Sequence, residues 1–551
     1  MILIVVVGAC IFMLQHTKNE TILKEEIEES ALAIYLEDEP INYIPAKDSG
    51  YTLDLSKSSC TNGVEVSFDY NTWSVKTNYS NYTYQNNERV KCSLYFTSKY
   101  IEPILNGTDP ILEDPLIPVT IEDDGTVKKA DLSSEWYDYE TKQWANAVIL
   151  FDEIKTYASG EIIPEEEIES YFVWIPKYRY QLWDLGTYDG LTTIDTNKVH
   201  EIPVIFGDYN TSDSVTGECT TPMESGASGN CQVGDYMTHP AFISIPSTGF
   251  WVGKFETGYS GAKSTTEAEV NKRDASKVIV KPNVYSWRGI QLANAFYTSY
   301  DYQRELDSHM MKNTEWGAVA YLQHSAYGSA MSVRQNNNSD YLTGYQANAE
   351  PTCGYTKTNE ECNRYCNDNT CNTPYPNSVL ASTTNNISGI FDMSGGSWEY
   401  VMAIMLDEQG TPMSGRNSTQ NSGFNGHFGC PSCDNNTSGL IELTDGYEWP
   451  EKKYFEKYSF NTLSYNYQSR ILGDATGEMG TFEKVIYMGV ERDIGSWYSD
   501  FGTVVVSDGP LLARGTWVSG YSTGTDAGMA SFAYTYGQED VGGTFRLVLT
   551  P

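Results

Sequence analysis

The chain has 551 residues and a net charge of −37, which argues against a nucleic-acid partner, since that needs clustered Lys and Arg. With 40% hydrophobic and 20% charged residues it reads as globular, not disordered, and long enough for about three domains. The 41 tyrosines are in excess and suit either a strand-rich fold or a recognition surface.

Met1 to Leu14, MILIVVVGACIFML, is uninterrupted apolar sequence closed by Gln15, His16 and Lys18. It is shorter than the roughly 20 residues of a spanning helix and lacks the basic start of a signal peptide. A truncated or processed membrane anchor, a pilin-like helix and a lipoprotein signal at Val7-Gly8-Ala9-Cys10 stay open as readings. Thr21 to Glu37 carries Ile22, Leu23, Ile27 and Leu32 at helical spacing. Residues 1–32 are therefore expected to form a hydrophobic helix, with residues 1–14 in a membrane or the whole stem packed in a filament. Either places the protein outside the cell, anchored to the surface or built into a surface filament.

From residue 33 to 97 the pattern changes to short alternating stretches, AIYLEDEPI, SGYTLDL, GVEVSFD and KCSLYF, which read as the strands of a small β domain. Cys60 and Cys92 lie near its ends, and a disulfide would be useful in a core of that size. The other cysteines outside the apolar run, Cys219, Cys231, Cys353, Cys362, Cys366, Cys371, Cys430 and Cys433, fall largely in Asn/Gly/Thr-rich loops and read as disulfides. Their connectivity is not deducible from sequence. Cys353, Cys362, Cys366 and Cys371 lack the paired CxxC spacing and nearby histidine of a zinc site. Residues 98–134, rich in Pro, Asp and Gly, read as a linker or a bridging strand pair.

Residues 135–551 form the large domain. YFVWIPKYRYQLW, 171–183, reads as an apolar strand, and HPAFISIPSTGFWVGKFETG, 239–258, as a strand pair. SHMMKNTEWGAVAYLQHSAYG, 308–328, opens on an Asn/Thr cap followed by Glu315 and Trp316, the signature of a helix. GIFDMSGGSWEYV, 389–401, reads as strand, tight turn and buried aromatic anchor, and the chain ends on Arg514-Gly515-Thr516-Trp517 through Thr544-Phe545-Arg546-Leu547-Val548-Leu549. Trp316, Trp398 and Phe545 are expected in the core, Glu399 and Arg546 in a buried pair or bonded to backbone, and Gly395-Gly396 and Gly542-Gly543 at turns.

The order of these segments resembles the formylglycine-generating-enzyme version of the C-type-lectin fold, over about 400 residues at the level of spaced motifs. The resemblance implies a β-rich α+β domain. It also implies a catalytic cysteine pair between the last two motifs, and here that interval holds neither cysteine nor histidine. Thiolate copper ligands are missing, and His16, His200, His239, His309, His324 and His427 are scattered without a facial set, so each reads as solvated or structural. No Ser-His-Asp order, phosphate loop or HExxH motif is present, and a non-enzymatic role follows.

What fills the interval is Trp517, Tyr521, Ser522, Thr523, Thr525, Asp526, Ser531, Tyr534, Thr535 and Tyr536 among Gly and Ala, a paratope-like composition. It is similar to the variable proteins of diversity-generating retroelements, which diversify this region of the fold by adenine-directed mutagenesis. Trp517 and Met529 depart from the residues so reachable and fit fixed framework positions. The expected function is adhesion or recognition of a protein or glycan on another surface. The alternatives are a filament subunit and, against the missing thiols, a formylglycine-generating oxidase. No organic cofactor is expected. Calcium is compatible with the acidic loops, though no DxDxDG loop names its ligands. Sequons at Asn78, Asn81, Asn106, Asn210, Asn337, Asn386, Asn417, Asn435 and Asn436 fit an exported chain or simply its Asn/Ser/Thr-rich loops.

Overall fold

The computed structural model describes residues 32–36, 39–41, 51–53, 57–60, 66–69, 74–77, 92–98, 109–181, 201–206, 236–244, 247–329, 375–405, 441–444, 447–450, 452–458, 473–475, 483–487, 490–494, 511–515 and 528–551. They belong to two compact units, Met1–Asn106 and Gly107–Pro551, and the protein is a strand-rich α+β chain.

In the first unit, Cys92–Ser98 is the central strand. It runs parallel to Leu32–Leu36 and antiparallel to Tyr51–Leu53 and Ser59–Cys60. Leu32–Leu36 is a strand, in line with the strand expected at AIYLEDEPI, so the helical spacing read over 21–37 does not carry through to Glu37; Ile and Tyr in AIYL suit a sheet beside Cys92–Ser98. Residues 1–31, with the anchor and stem expectations, lie outside the described residues. The ladder sets Cys60 directly opposite Cys92. Facing Cα atoms in an antiparallel pair are about 4.5–5.5 Å apart, within disulfide reach. The remaining candidate disulfide cysteines lie outside the described residues.

The second unit opens earlier than the expected boundary at 135. Strands β1 (Ile117–Ile121) and β2 (Val127–Lys129) fall inside the segment read as a linker or strand pair and join the main sheet. That sheet continues with β3 (Asn146–Leu150), β4 (Ile162–Ile163), β5 (Ile168–Pro176), β6 (Gly249–Gly253) and β7 (His309–Met310). A last strand, β13 (Leu547–Leu549), lies between β6 and β7, so the spatial order is β4-β2-β1-β3-β5-β6-β13-β7. The middle strands are nearly continuous apolar runs because both faces are covered, and Trp174 of β5 faces Trp251 of β6 with ring centroids 5.3 Å apart. The apolar segment 171–183 breaks after Pro176, which has no N–H to donate, and resumes as Tyr178–Gln181 in a separate three-stranded sheet. The expected strand pair at 239–258 is instead a helical turn, Ala241–Ser244, followed by β6.

The second sheet is built on β8 (Trp398–Met405), flanked by β9 (Glu456–Tyr458), β10 (Leu511–Gly515), β11 (Gly528–Thr535) and β12 (Gly543–Phe545), in the order β9-β8-β10-β11 with β12 also on β8. Two longer helices, α1 (Leu292–Tyr302) and α2 (Asn313–Gln323), complete the unit. The expected helix is thus present, but its start differs. The Glu315 carboxylate accepts the Lys312 N–H at 2.8 Å, and Glu456 of β9 accepts the Thr314 N–H at 3.1 Å, so a distant strand supplies the cap.

Trp316, Trp398 and Phe545 are buried as expected, and Glu399 and Arg546 form the buried pair. Gly395 and Gly396 have φ of 98° and 72°, the turn role expected of them. Gly543 differs: it lies in β12 under the Tyr400 ring, 3.1 Å from where a Cβ would stand, and serves close packing rather than a turn. Gly317 of α2 is tighter still, since an added Cβ would meet Gly473 O at 1.9 Å. In an exposed helix Gly317→Ala would stabilise by about 1 kcal/mol. Here α2 has to move off residues 473–475, and the substitution is expected to cost more than about 2 kcal/mol in urea unfolding; a gain would refute this contact.

Candidate functional site

The expected site maps onto β10, β11 and the residues just after them. Trp517, Tyr521, Ser522, Thr523, Thr525 and Asp526 lie outside the described residues. Ser531, Tyr534 and Tyr536 are described, and strand alternation separates them. Tyr534 and Tyr536 share one face, half-buried, with ring centroids 6.0 Å apart in an edge-to-face arrangement. Ser531 lies with Ala533 and Thr535 on the opposite face and is buried, unlike the two tyrosines. A residue one place along a strand from an exposed tyrosine points away from solvent.

β11 is the terminal strand of its sheet among the described residues. Its ladder with β10 pairs Leu512 with Tyr534 and Arg514 with Phe532, then shifts so that Gly515 pairs with Gly528. This irregularity leaves the Met529 carbonyl free of the ladder, and the Trp316 indole N–H donates to it at 2.7 Å. Arg514 is fully buried and holds the platform together. Its Nη1 donates to Asn313 Oδ1 and Asp474 O, both at 3.0 Å, and its Nη2 to Ala475 O at 2.9 Å. The guanidinium lies 5.7 Å from the Trp316 ring centroid and 6.0 Å from that of Phe532. Helix α2, residues 473–475 and both strands are thereby tied together beside Tyr534, since Arg514 and Phe532 lie on the same face of the sheet as Leu512 and Tyr534. Met529 is buried, in keeping with a framework position. Beyond Tyr536 the chain is pinned by Tyr400 Oη, which donates to Gln538 O, and by Gly289 N–H, which donates to Asp540 O at 3.0 Å.

A charged core lies below. Arg546 grips Glu399 with two bonds of 2.8 and 2.6 Å and donates to Gly253 O at 2.7 Å. Glu256 accepts the Ser397 N–H at 2.6 Å and the Ser286 hydroxyl, and Asp392 accepts the Glu256 N–H at 3.1 Å. One guanidinium cannot neutralise three buried carboxyls. Burial, then the neighbouring carboxyls Asp392 and Glu399, push Glu256 well up; burial likewise raises Asp392 to about 7 against the pull of Arg546. These groups are buried, and their bonds hold the 389–401 loop in place.

Lys254 is the second anchor of that loop. Its ammonium is fully buried and donates to Asn146 Oδ1, Ile387 O and Gly389 O at 2.8, 2.7 and 2.8 Å, one acceptor for each proton. Sequence reading placed Lys254 and Glu256 within an expected strand pair and gave neither a role. The one available signal was two charges inside the aromatic run GFWVGKFETG.

The histidines that are described are buried. His239 Nε2 faces Gly473 O at 2.8 Å while Nδ1 accepts the Ala241 N–H at 3.3 Å, and burial drops its pKa to about 3. His309 lies between Asp307 O and Glu315 at 2.8 and 3.0 Å, and His324 is buried at the end of α2. Asn386 is half-buried; it donates to Lys142 O at 2.9 Å through Nδ2 and takes bonds from Thr384 and Ser388 through Oδ1. The other sequons lie outside the described residues. Among the described residues, no His, Cys, Asp and Glu group is arranged to hold a metal ion, and no helix is long and apolar enough to cross a membrane. No protein-family model matches the chain, and no curated protein sequence matches it.

Proposed function

We propose that the chain is a non-enzymatic, surface-exposed recognition protein that binds a protein or glycan through the tyrosine-rich segment 517–536. Its large unit would be a C-type-lectin-like scaffold of the kind its motif order resembles. The observation that carries this reading is the Tyr534–Tyr536 pair, half-exposed on a terminal strand and set on a platform bonded through Arg514, Asn313 and Trp316. Rigid aromatic surface over an ordered base is what recognition at low entropic cost requires. The buried charges are consumed in structural bonds, which favours display over catalysis at this edge.

The test is attachment of the purified protein to a glycan array and a protein array. Tyr534→Ala and Tyr536→Ala are expected to weaken attachment at least about tenfold each, which corresponds to losing a contact worth about 1.4 kcal/mol. Both variants should melt within a few degrees of the parent, because neither ring is fully buried. Attachment unchanged in both variants would overturn the assignment.

A further inference from the structure

A second recognition site is carried by a groove of about 470 Å³ at the far end of the main sheet. Its apolar wall includes Val127, Ile162, Pro164, Pro282, Tyr375 and Pro376, and its volume suits a few residues of ligand. Three independent features point to what it holds.

The first is backbone. β4 is the terminal strand of the eight-stranded sheet, so its outer side has no partner strand among the described residues. Gly160, at φ 77°, donates to Lys129 O at 2.8 Å while Lys129 N–H donates to Glu161 O at 2.9 Å, which is a glycine bulge. The bulge sets the register Ile162↔Lys128 and Ile163↔Val127. Bonding alternates along an antiparallel ladder, so Ile163 bonds β2 and the Ile162 N–H and C=O point outward. The Ile162 side chain is 57% exposed beside them. An outward-facing backbone with an exposed β-branched residue is a template for one more strand.

The second is an unused polar group. Tyr375 Oη is shielded from solvent and has no hydrogen-bond partner, while its ring is locked edge-on against Phe255 and Phe391 at 5.2 and 5.4 Å. The third is charge. The charged residues lining the groove are Asp124 and Glu165, both exposed and both acidic. Glu165 is met by Lys281 at 3.2 Å and by the Tyr171 hydroxyl, and the Asp124 carboxylate accepts the Thr126 N–H at 2.9 Å and feels the charge of Lys128.

We infer that this groove binds an extended segment of a partner protein, added as a strand along Ile162 and carrying an Arg or Lys side chain to Asp124 and Glu165. The Tyr375 hydroxyl is the donor available to a carbonyl of that segment. An acidic peptide would meet two exposed like charges, of which Glu165 is met by Lys281, and a purely apolar one would leave the carboxylates unused.

The experiment is calorimetric titration of the full chain with the hexapeptide acetyl-Val-Thr-Val-Arg-Val-Thr-amide and with its counterpart in which Glu replaces Arg. The Arg peptide is expected to saturate the protein and the Glu peptide to bind at least about tenfold more weakly. Two variants separate the contributions. Asp124→Asn keeps the Thr126 bond and removes the charge; Ile162→Pro removes the outward N–H together with the exposed Ile side chain, a change that edge positions tolerate. Each is expected to weaken the Arg peptide about tenfold with an unchanged circular dichroism spectrum. No saturable binding, equal binding of the two peptides, equal binding of free arginine, or full affinity in both variants would each overturn the proposal. So would sedimentation showing a dimer that Ile162→Pro abolishes, since the edge would then be filled by a second copy of the chain.

Discussion

Replacing Arg546 by methionine is expected to destabilise the large unit by about 3–5 kcal/mol. The guanidinium is fully buried, closes two bonds on Glu399 and one on Gly253 O, and is the cation facing Glu256, Asp392 and Glu399 together. Methionine fills similar volume, so the loss is electrostatic rather than a cavity. It strands the Glu399 carboxylate in a buried site without its partner cation. The pair also joins β8 to the segment between β12 and β13, so its loss loosens the two sheets at one point. Urea unfolding of Arg546→Met and of the double variant Arg546→Met/Glu399→Gln makes the test. The double variant should recover part of the loss, because glutamine removes the stranded charge. A single variant within 1 kcal/mol of the parent, by the same scale of buried-pair losses, would show that the pair contributes little.

The second large effect is with pH. Asp392 is raised to about 7 by burial, and Glu456 to about 7 by burial against the pull of Lys312, while Glu256 is raised further. The folded state therefore holds these protons more tightly than the unfolded chain, whose carboxyls titrate near 4. Their stabilisation is complete below about pH 4 and is lost as pH rises toward 7, at roughly 1.4 kcal/mol per pH unit for each group over that interval. Glu315 has the opposite sign: burial opposes its charge, but Lys312 and His309 outweigh burial and hold its pKa near 2. Its contribution is present above about pH 4 and disappears as pH falls toward 2. The melting temperature should accordingly peak on the acidic side, near pH 4–5, and fall toward pH 8. Asp392→Asn and Glu456→Gln should each flatten the fall, which separates these groups from the general repulsion of a chain carrying −37 charges. A melting temperature that rises from pH 5 to pH 8 would contradict the proton-holding role.

How much of this was legible beforehand depends on the range of the interaction. Strands in 33–97, the helix around Glu315 and Trp316, and the aromatic anchors Trp398 and Phe545 all declare themselves through local period and punctuation. Placing Tyr534 and Tyr536 together and Ser531 elsewhere needed only the two-residue period of a strand, once the strand's start was known. The segment 98–134 was harder, because its Pro, Asp and Gly content describes turns equally well in a linker and between edge strands.

By itself, the sequence determined the strand-rich class, the aromatic core and the position of the tyrosine segment, since apolar period and turn residues act between near neighbours. The tertiary structure alone decided the roles of the buried charges and the groove. Lys254 finds its acceptors at Asn146, Ile387 and Gly389; Arg514 finds Asn313; Glu456 caps a helix 142 residues away. A buried charge must be paired or hydrogen-bonded wherever the chain passes, and which segment passes there is set by packing of the whole sheet rather than by any spacing along the chain.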